Sequence, residues 1–270
     1  MGLVAYTTIL TLVAAGAIAG FVSGLLGIGN GIILIPILLQ IIGGPGLSTD
    51  LAVKLVFGTN LAVATINTGV GSVEHYGRGN VWWGVAIPLT IASIIGALIG
   101  PRVATGLSGE VLKNIFGIVV MLIAVYLYLG GTKARKEKPA IEPLWYLIPG
   151  GLVIGFISSM LGLSGGLLLI PFLVILLSYP PHSVVGITSI TTFFISAVGA
   201  AGYIASGWNV PDLPGYSLGY VNLPMVACIA AGSVISARMG AKVSNRVGER
   251  WLVRIFSVVV FGAGLKMLIS

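Results

Sequence analysis

Residues 20–36 read GFVSGLLGIGNGIILIP, and residues 155–171 read GFISSMLGLSGGLLLIP. The two stretches begin half a chain length apart in a protein of 270 residues. Each places glycine together with serine or asparagine inside a run that is otherwise apolar. Duplicated breaks of this kind are typical of two related halves that build one binding site where they meet.

The composition indicates that lipid is the main solvent of this chain. Hydrophobic residues make up 57% of it and charged residues only 8%, and its mean hydropathy is +1.08. A soluble domain carries about 25% charged residues. The sequence therefore predicts an all-α integral membrane protein with the lipid bilayer as its partner.

The distribution of the basic residues indicates membrane topology rather than nucleic-acid recognition. The net charge is +7, but the lysines and arginines cluster in short loops between apolar runs, which is how membrane orientation is encoded. No nucleic-acid partner is predicted. The single cysteine, Cys228, excludes an intrachain disulfide.

Ten apolar runs define the organisation of the chain. They are 3–27, 31–42, 51–73, 81–104, 111–130, 144–162, 166–178, 183–205, 219–240 and 251–269. Eight of them approach the ~20 residues that a membrane crossing needs. The runs at 31–42 and 166–178 are too short, and we expect half-helices or re-entrant segments there.

An internal duplication divides the chain into a first repeat, 1–130, a basic linker, 131–143, and a second repeat, 144–270. Matched positions pair Gly20, Gly27, Gly31 and Pro36 with Gly155, Gly162, Gly166 and Pro171, Thr59 and Asn60 with Thr188 and Ser189, and Asn67 with Ser196. So many small and polar matches favour duplication over chance.

The charges then predict how the two repeats are oriented. The linker 131–143 and the loop 238–254 are both basic and should face the cytoplasm. An even number of crossings must separate them, which requires that each broken segment turn the chain back. Loop 74–80 is then inside and loop 206–218 outside. The sequence therefore predicts inverted repeats with both termini outside.

The breaks are the first candidate site. Glycine allows backbone conformations that other residues avoid, and a helix N-terminus after the break offers free N–H groups and a partial positive charge. The candidate residues are Gly29, Asn30, Gly31, Ser164, Gly165 and Gly166. Two such ends could hold one small oxyanion without a cationic side chain. The alternative is that the glycines only permit close helix packing.

A polar stripe on the following helices is the second candidate site. Asn60, Asn67, Gly71 and Glu74 share one helical face in the first repeat, and Ser189, Thr192, Ser196 and Gly199 form the matching stripe, with Thr188 beside it. Polar groups in hydrocarbon face the bundle interior or a wet cavity. We expect Thr59, Asn60, Thr188 and Ser189 to be the principal ligands. Plain interhelical hydrogen bonding remains the alternative.

We expect simpler roles for the other polar residues and for the cysteine. Lys54 should extend its amino group to the interface, although it could instead attract an anion to an entrance. Glu74 and His75 are either interfacial or a proton relay, and Cys228 should be a packed small hydrophobe. Two loop carboxylates are expected to be solvated: Asp50 and Asp212.

No enzyme constellation is present in the sequence. There are two histidines, His75 and His182, one cysteine, no paired intramembrane carboxylates and no GxxxxGK[ST] phosphate loop. The sequence therefore predicts no enzyme, no metal site and no cofactor, with proton coupling left open.

These motifs resemble the sulfite exporter TauE/SafE family, also called the toluenesulfonate uptake permease family. The resemblance rests on the double break running into LIP, on GTN (58–60) and ITS (187–189), and on GRGNVWWG (77–84), and it covers essentially the whole chain. The family often has consecutive glycines where this chain has Ile28, Asn30, Leu163 and Ser164.

The resemblance implies a multi-pass plasma-membrane protein that moves small sulfur-containing anions, such as sulfite, thiosulfate, sulfoacetate or other organosulfonates. Together with the residues, it predicts a secondary transporter working by alternating access. The expected ligands are Gly29, Asn30, Gly31, Thr59, Asn60, Asn67, Ser164, Gly165, Gly166, Thr188, Ser189 and Ser196. A passive anion channel is the alternative, followed by an intramembrane enzyme or assembly factor of sulfur metabolism.

Overall fold

The structure is a computed structural model of the chain. It describes residues 2–26, 29–43, 46–77, 81–129, 144–177, 179, 181–244 and 249–269. The predicted linker 131–143 lies outside the described residues.

The described residues are almost entirely helical. In chain order they form α1 (Gly2–Leu26), α2 (Gly31–Ile42), α3 (Thr49–Gly77), α4 (Trp83–Gly106), α5 (Gly109–Tyr128), α6 (Leu144–Met160), α7 (Gly166–Pro171), α8 (Pro181–Ser206), the hairpin strands β1 (Ser217–Leu218) and β2 (Val221–Asn222), α9 (Leu223–Ser244) and α10 (Glu249–Ile269). The two strands pair antiparallel.

Six described helices are long and apolar enough to cross a membrane: Tyr6–Leu25, Thr49–Val73, Trp83–Gly106, Gly109–Tyr128, Val184–Ser206 and Leu223–Gly240. Each coincides with one of the eight predicted crossings. The other two predicted crossings correspond to α6, Leu144–Met160, and α10, Glu249–Ile269, in which the apolar stretches Trp145–Met160 and Ser257–Ile269 are recorded. The chain is therefore a multi-pass membrane protein, and the count of eight full crossings stays a prediction.

The two short helices were expected from the lengths of their apolar runs. The first is α2, whose bounds coincide with the predicted run 31–42. The second begins at Gly166 as α7 and continues as a π-helical stretch, Phe172–Leu176. Both helices therefore start directly after a break.

The first helix of each half packs against the fourth helix of the other. On α1, Gly16, Gly20 and Gly24 lie against Ile229, Ser233 and Ala237 of α9, so the two helices run parallel. A Cβ atom at Gly20 would come within 2.5 Å of the Ser233 carbonyl oxygen. Here small residues let two backbones approach closely, as is common between membrane helices.

Helices α6 and α4 form the matching parallel pair. Gly151 and Gly155 of α6 lie against the segment Leu89–Ser93 of α4, and a Cβ at Gly155 would collide with Ser93. Gly20 and Gly155 are matched positions of the duplication, and each contacts a serine, Ser233 or Ser93. The two interfaces therefore repeat the same contact.

The third helices of the two halves, α3 and α8, cross antiparallel at the centre. Gly58 lies near Tyr203, and the Ser72 hydroxyl donates to the Ser189 carbonyl oxygen at 2.9 Å. The fifth helices, α5 and α10, are also antiparallel, because Gly117 contacts Leu268 while Gly264 contacts Met121. The core is built around α3, where Val56, Phe57 and Leu61 are fully buried.

The expectation that Lys54 extends its amino group to the membrane interface stays a prediction, and the structure adds the contacts that the side chain makes. Its side chain is buried, and its Nζ donates to the Thr105 carbonyl oxygen at 3.0 Å. Asp50 Oδ2 lies 3.8 Å away. A lysine here neutralises the C-terminal carbonyls of α4.

Asp50 differs from its expectation as a merely solvated carboxylate. Although its side chain is half exposed, Oδ1 accepts the Gly109 N–H at the start of α5, where a negative charge is favourable. Asp50 and Lys54 together fasten α3 to the turn between α4 and α5.

The remaining single residues follow their expectations where the structure describes them. Asp212 is exposed, and Cys228 is partly buried against the core. Glu74 and His75 belong to α3, but their side chains lie outside the described residues.

Candidate functional site

The two breaks meet inside the bundle. A Cβ atom at Gly29 would collide with the Ser164 hydroxyl oxygen, and these two residues occupy matched positions of the repeats. A Cβ at Gly31 would lie 2.8 Å from Asn60 Nδ2 and 3.4 Å from Leu163. The predicted convergence of Gly29, Gly31, Asn60 and Ser164 is therefore present in the structure.

Three glycines in the breaks have conformations that require glycine. Gly29, Gly162 and Gly165 have φ angles of 90°, 69° and 84°, in the left-handed region that side chains with a Cβ avoid. Close packing contributes as well, since a Cβ at Gly162 would lie 2.7 Å from the Phe57 Cα. Both the backbone conformation and the close packing therefore require glycine in the breaks.

Asn60 connects α3 of the first half to the break of the second half. It is fully buried, and its Nδ2 donates to the Gly162 carbonyl oxygen at 2.7 Å. Because a carbonyl can only accept, this bond fixes the orientation of the amide. Its Oδ1 then has no hydrogen-bond partner within the described structure. The Nδ2 atom of Asn60 therefore makes a structural hydrogen bond, and its Oδ1 atom is available to a ligand.

Unpartnered buried polar atoms gather on the elements that surround the breaks. Within the described part of the chain they are Asn30 Nδ2, Asn60 Oδ1, Ser93 Oγ, Ser158 Oγ, Thr192 Oγ1 and Ser196 Oγ. A buried polar group without a partner costs about 1–3 kcal/mol, so such atoms call for water or a ligand. Asn30, Asn60 and Ser196 were predicted site residues.

Two of these atoms belong to residues that were not predicted. Ser158 lies on α6 just before the second break, and its position matches Ser23 before the first break. This match between the repeats could have identified it. Ser93 lies on α4 within an apolar run, and no feature of the sequence distinguishes it. Its importance comes from the packing of α4 on α6.

Four predicted residues have partners of their own. Thr59 Oγ1 accepts the Asn222 N–H at 3.0 Å and so anchors strand β2. The hydroxyls of Thr188 and Ser189 each donate to a carbonyl of their own helix, at 2.8 Å in both cases. Asn67 Oδ1 accepts from Ser233 Oγ at 3.0 Å. Of these contacts, only the bond between Asn67 and Ser233 is the interhelical hydrogen bond of the alternative for the polar stripe, because Thr188 and Ser189 bond within α8.

The remaining predicted residues lie at the start of the second short helix. Ser164 is buried, Gly165 faces Ile195, whose Cδ1 would lie 2.9 Å from an added Cβ, and Gly166 is the buried first residue of α7. Opposite them, Asn30 precedes α2, which has no side-chain cap. Its free N–H groups therefore remain available.

Two matched pairs that link the halves differ. Asn67, on α3 of the first half, is bonded to Ser233 on α9 of the second half. The matched residues are Ser196, on α8 of the second half, and Ser93, on α4 of the first half, and both hydroxyls are buried without a partner among the described residues. The two serines therefore keep polar atoms unsatisfied where the Asn67–Ser233 pair has satisfied them.

The electrostatics of the breaks come from neutral groups. In the segments 29–31 and 162–166, which the structure describes, no side chain is charged. The described residues also include no cluster of histidine, cysteine or acidic residues suited to a metal ion. An anion at the breaks would be held by amides, hydroxyls and the N-terminus of α2, a helix of 12 residues.

Comparison with known proteins agrees with this architecture. A probable membrane transporter protein of Haemophilus influenzae is 29% identical over 266 residues, covering 98% of this chain and 100% of that protein. A probable membrane transporter protein of Methanocaldococcus jannaschii is 28% identical, covering 96% of this chain and 94% of that protein. A Bacillus subtilis protein described in the same words, YunE, is 26% identical, with coverages of 95% and 96%.

No solved structure gives a significant match to this chain. The family model for the sulfite exporter TauE/SafE family matches residues 12–267, which include both breaks and all twelve predicted site residues. The chain, a membrane transporter by the names of its relatives, belongs to the sulfite exporter TauE/SafE family.

Proposed function

We propose that this protein is a plasma-membrane secondary transporter that carries a small sulfur-containing anion, such as sulfite, thiosulfate, sulfoacetate or another organosulfonate. The observation that carries the proposal is the meeting of the two breaks at Gly29 and Ser164, beside the unpartnered polar atoms of Asn30 and Asn60. The family supplies the transported class.

The chemistry of the proposed site favours a singly charged anion. Backbone N–H groups at a helix N-terminus amount to about half a positive charge, and the breaks add no cationic side chain. A dianion such as thiosulfate or sulfoacetate would be poorly compensated in so buried a position, so hydrogen sulfite and simple monosulfonates fit the site better than these two. The free acceptor on Asn60 in turn suits a substrate that keeps an O–H or N–H group, because an acceptor cannot bind a bare anion.

Inverted repeats and alternating access complete the proposal. Support comes from helix direction, because the matched helices α3 and α8 are antiparallel, as are α5 and α10. Two halves related in this way would present the same break to opposite faces of the membrane, and rocking of one against the other would switch access. Labelling of cysteines introduced into the basic segment 238–254 from each side of the membrane tests this directly. An external location of the segment contradicts the arrangement.

Binding to purified protein tests the site. Isothermal titration with sulfite, thiosulfate and a small sulfonate should detect binding that Asn30→Ala weakens at least tenfold, about 1.4 kcal/mol. Gly71→Ala is the matched control, because an added Cβ there meets no atom within 4 Å. If folded Asn30→Ala binds the anion with unaltered affinity, the breaks are not the binding site.

Transport in proteoliposomes separates a carrier from the passive channel. A carrier should show saturable uptake and counterflow, in which unlabelled anion inside accelerates entry of labelled anion. Uptake measured with and without a pH gradient tests proton coupling. Single-channel currents would favour the channel instead.

A further inference from the structure

A cavity with a mainly apolar wall and four polar side chains lies away from the breaks, at the opposite end of α2. It has a volume of about 280 Å³ and lies between the C-terminal half of α2 and parts of α3, α5 and α10. The polar side chains that line it are Gln40, Thr49, Lys113 and Lys266. The cavity is separate from Asn30, Asn60 and the other unpartnered atoms of the candidate site.

The two lysines bring two positive charges to one cavity. Lys113 is half-buried on α5, and Lys266 is exposed in the last turn of α10. Among the described residues the recorded ion pair is that of Lys54 with Asp50, so neither cavity lysine is paired with a carboxylate there. Like charges that line one cavity repel each other, and the exposure of Lys266 to solvent screens part of this repulsion.

Lys113 lies in the second turn of α5, which begins at Gly109 and carries Glu110 in its first turn. No hydrogen bond or ion pair of the Lys113 amino group is recorded in the described structure. A bound anion would offset the repulsion between Lys113 and Lys266.

The size and the donors of the cavity define the class of ligand. A water molecule in the liquid occupies about 30 Å³, so the cavity has room for a tetrahedral oxyanion and accompanying water. Two ammonium groups, the Gln40 amide and the Thr49 hydroxyl offer donors suited to such a group. Basic pockets between membrane helices also bind lipid head groups.

We propose that this cavity binds a tetrahedral oxyanion between Lys113 and Lys266. The oxyanion is either the phosphodiester of an anionic phospholipid or a free ion such as phosphate or sulfate. The proposal is independent of the proposed function, because it concerns other residues and another end of α2.

The test uses the full-length protein and the double variant Lys113→Gln/Lys266→Gln. In the lipid arm, native mass spectrometry after extraction from mixed phosphatidylglycerol and phosphatidylcholine counts retained lipids. In the free-ion arm, protein in phosphatidylcholine nanodiscs is melted with increasing sulfate. Preferential retention of phosphatidylglycerol identifies a lipid, whereas stabilisation by millimolar sulfate identifies a free ion.

Two further variants make the result specific. Arg102→Gln removes one positive charge at the same end of the molecule but outside the cavity, so it should behave as wild type. Ala263→Phe keeps both lysines while filling the cavity wall, so it should lose binding as the double variant does. In the arm that corresponds to the bound ligand, we expect the double variant and Ala263→Phe to show at least a tenfold loss of phosphatidylglycerol retention or of stabilisation by sulfate. Indistinguishable behaviour of wild type and double variant in both arms would overturn the proposal.

Discussion

Gly29 and Ser164 occupy matched positions in the two halves of the chain and face each other where the breaks meet, so closely that the glycine has no room for a Cβ atom. This contact places two distant sequence segments side by side. It also explains why the matched residues differ, because two serines could not both fit.

The first prediction concerns this contact. Gly29→Ala should lower the unfolding free energy by about 1–2 kcal/mol from backbone strain alone, with a further loss from the collision with Ser164. Thermal unfolding in detergent measures the effect, with Gly71→Ala as control. Adding Ser164→Gly should recover the steric part but not the strain, so strictly additive losses would contradict the contact.

The second prediction concerns the hydrogen bond from Asn60 to Gly162. Asn60→Ala removes the Nδ2 donor and leaves the buried Gly162 carbonyl oxygen without its partner. The change should lower the free energy of unfolding by about 1–3 kcal/mol, the cost of an unsatisfied buried polar group.

Chemical denaturation of Asn60→Ala and wild type in detergent gives the measurement. Asn60→Gln is the comparison, since it keeps the amide donor on a longer side chain. A stability of Asn60→Ala equal to that of wild type would show that the Gly162 bond does not govern stability.

The third prediction uses the difference between the two matched pairs. Ser196→Ala removes a hydroxyl without a partner, so the free energy of unfolding should change by less than about 0.5 kcal/mol, while anion affinity should fall. Asn67→Ala breaks the bond to Ser233 and should cost about 1 kcal/mol. Chemical denaturation and binding titration together check both. Equal destabilisation by the two changes would refute the asymmetry.

The fourth prediction separates two roles for Lys54. As a cap of α4 it should contribute about 1.5–3 kcal/mol, the range for a hydrogen bond to a charged group, and Lys54→Met should lose that stability. Anion affinity of the remaining folded protein should not change. Unfolding curves and titrations of Lys54→Met, compared with Arg102→Gln, provide the measurement. Normal stability with weakened uptake would instead favour an entrance role.

The long helices and the short ones were predictable from local patterns. Run lengths distinguished α2 from the spanning helices, since a 12-residue helix rises only about 18 Å at 1.5 Å per residue. Composition and duplication also indicated the family. Only part of the polar stripe could be interpreted in this way, because Asn67 shares the helical face of Asn60 yet is bonded to Ser233 on α9.

The sequence by itself determined a duplicated, lipid-embedded helical chain with two glycine breaks, because hydropathy and repeat spacing are local properties of the sequence. Only the tertiary structure decided which polar atoms are left over. Asn60 binds Gly162 across the halves, Lys54 caps α4, and Ser93 and Ser196 lack partners, because hydrogen bonding depends on which side chains from distant segments come within about 3 Å of each other.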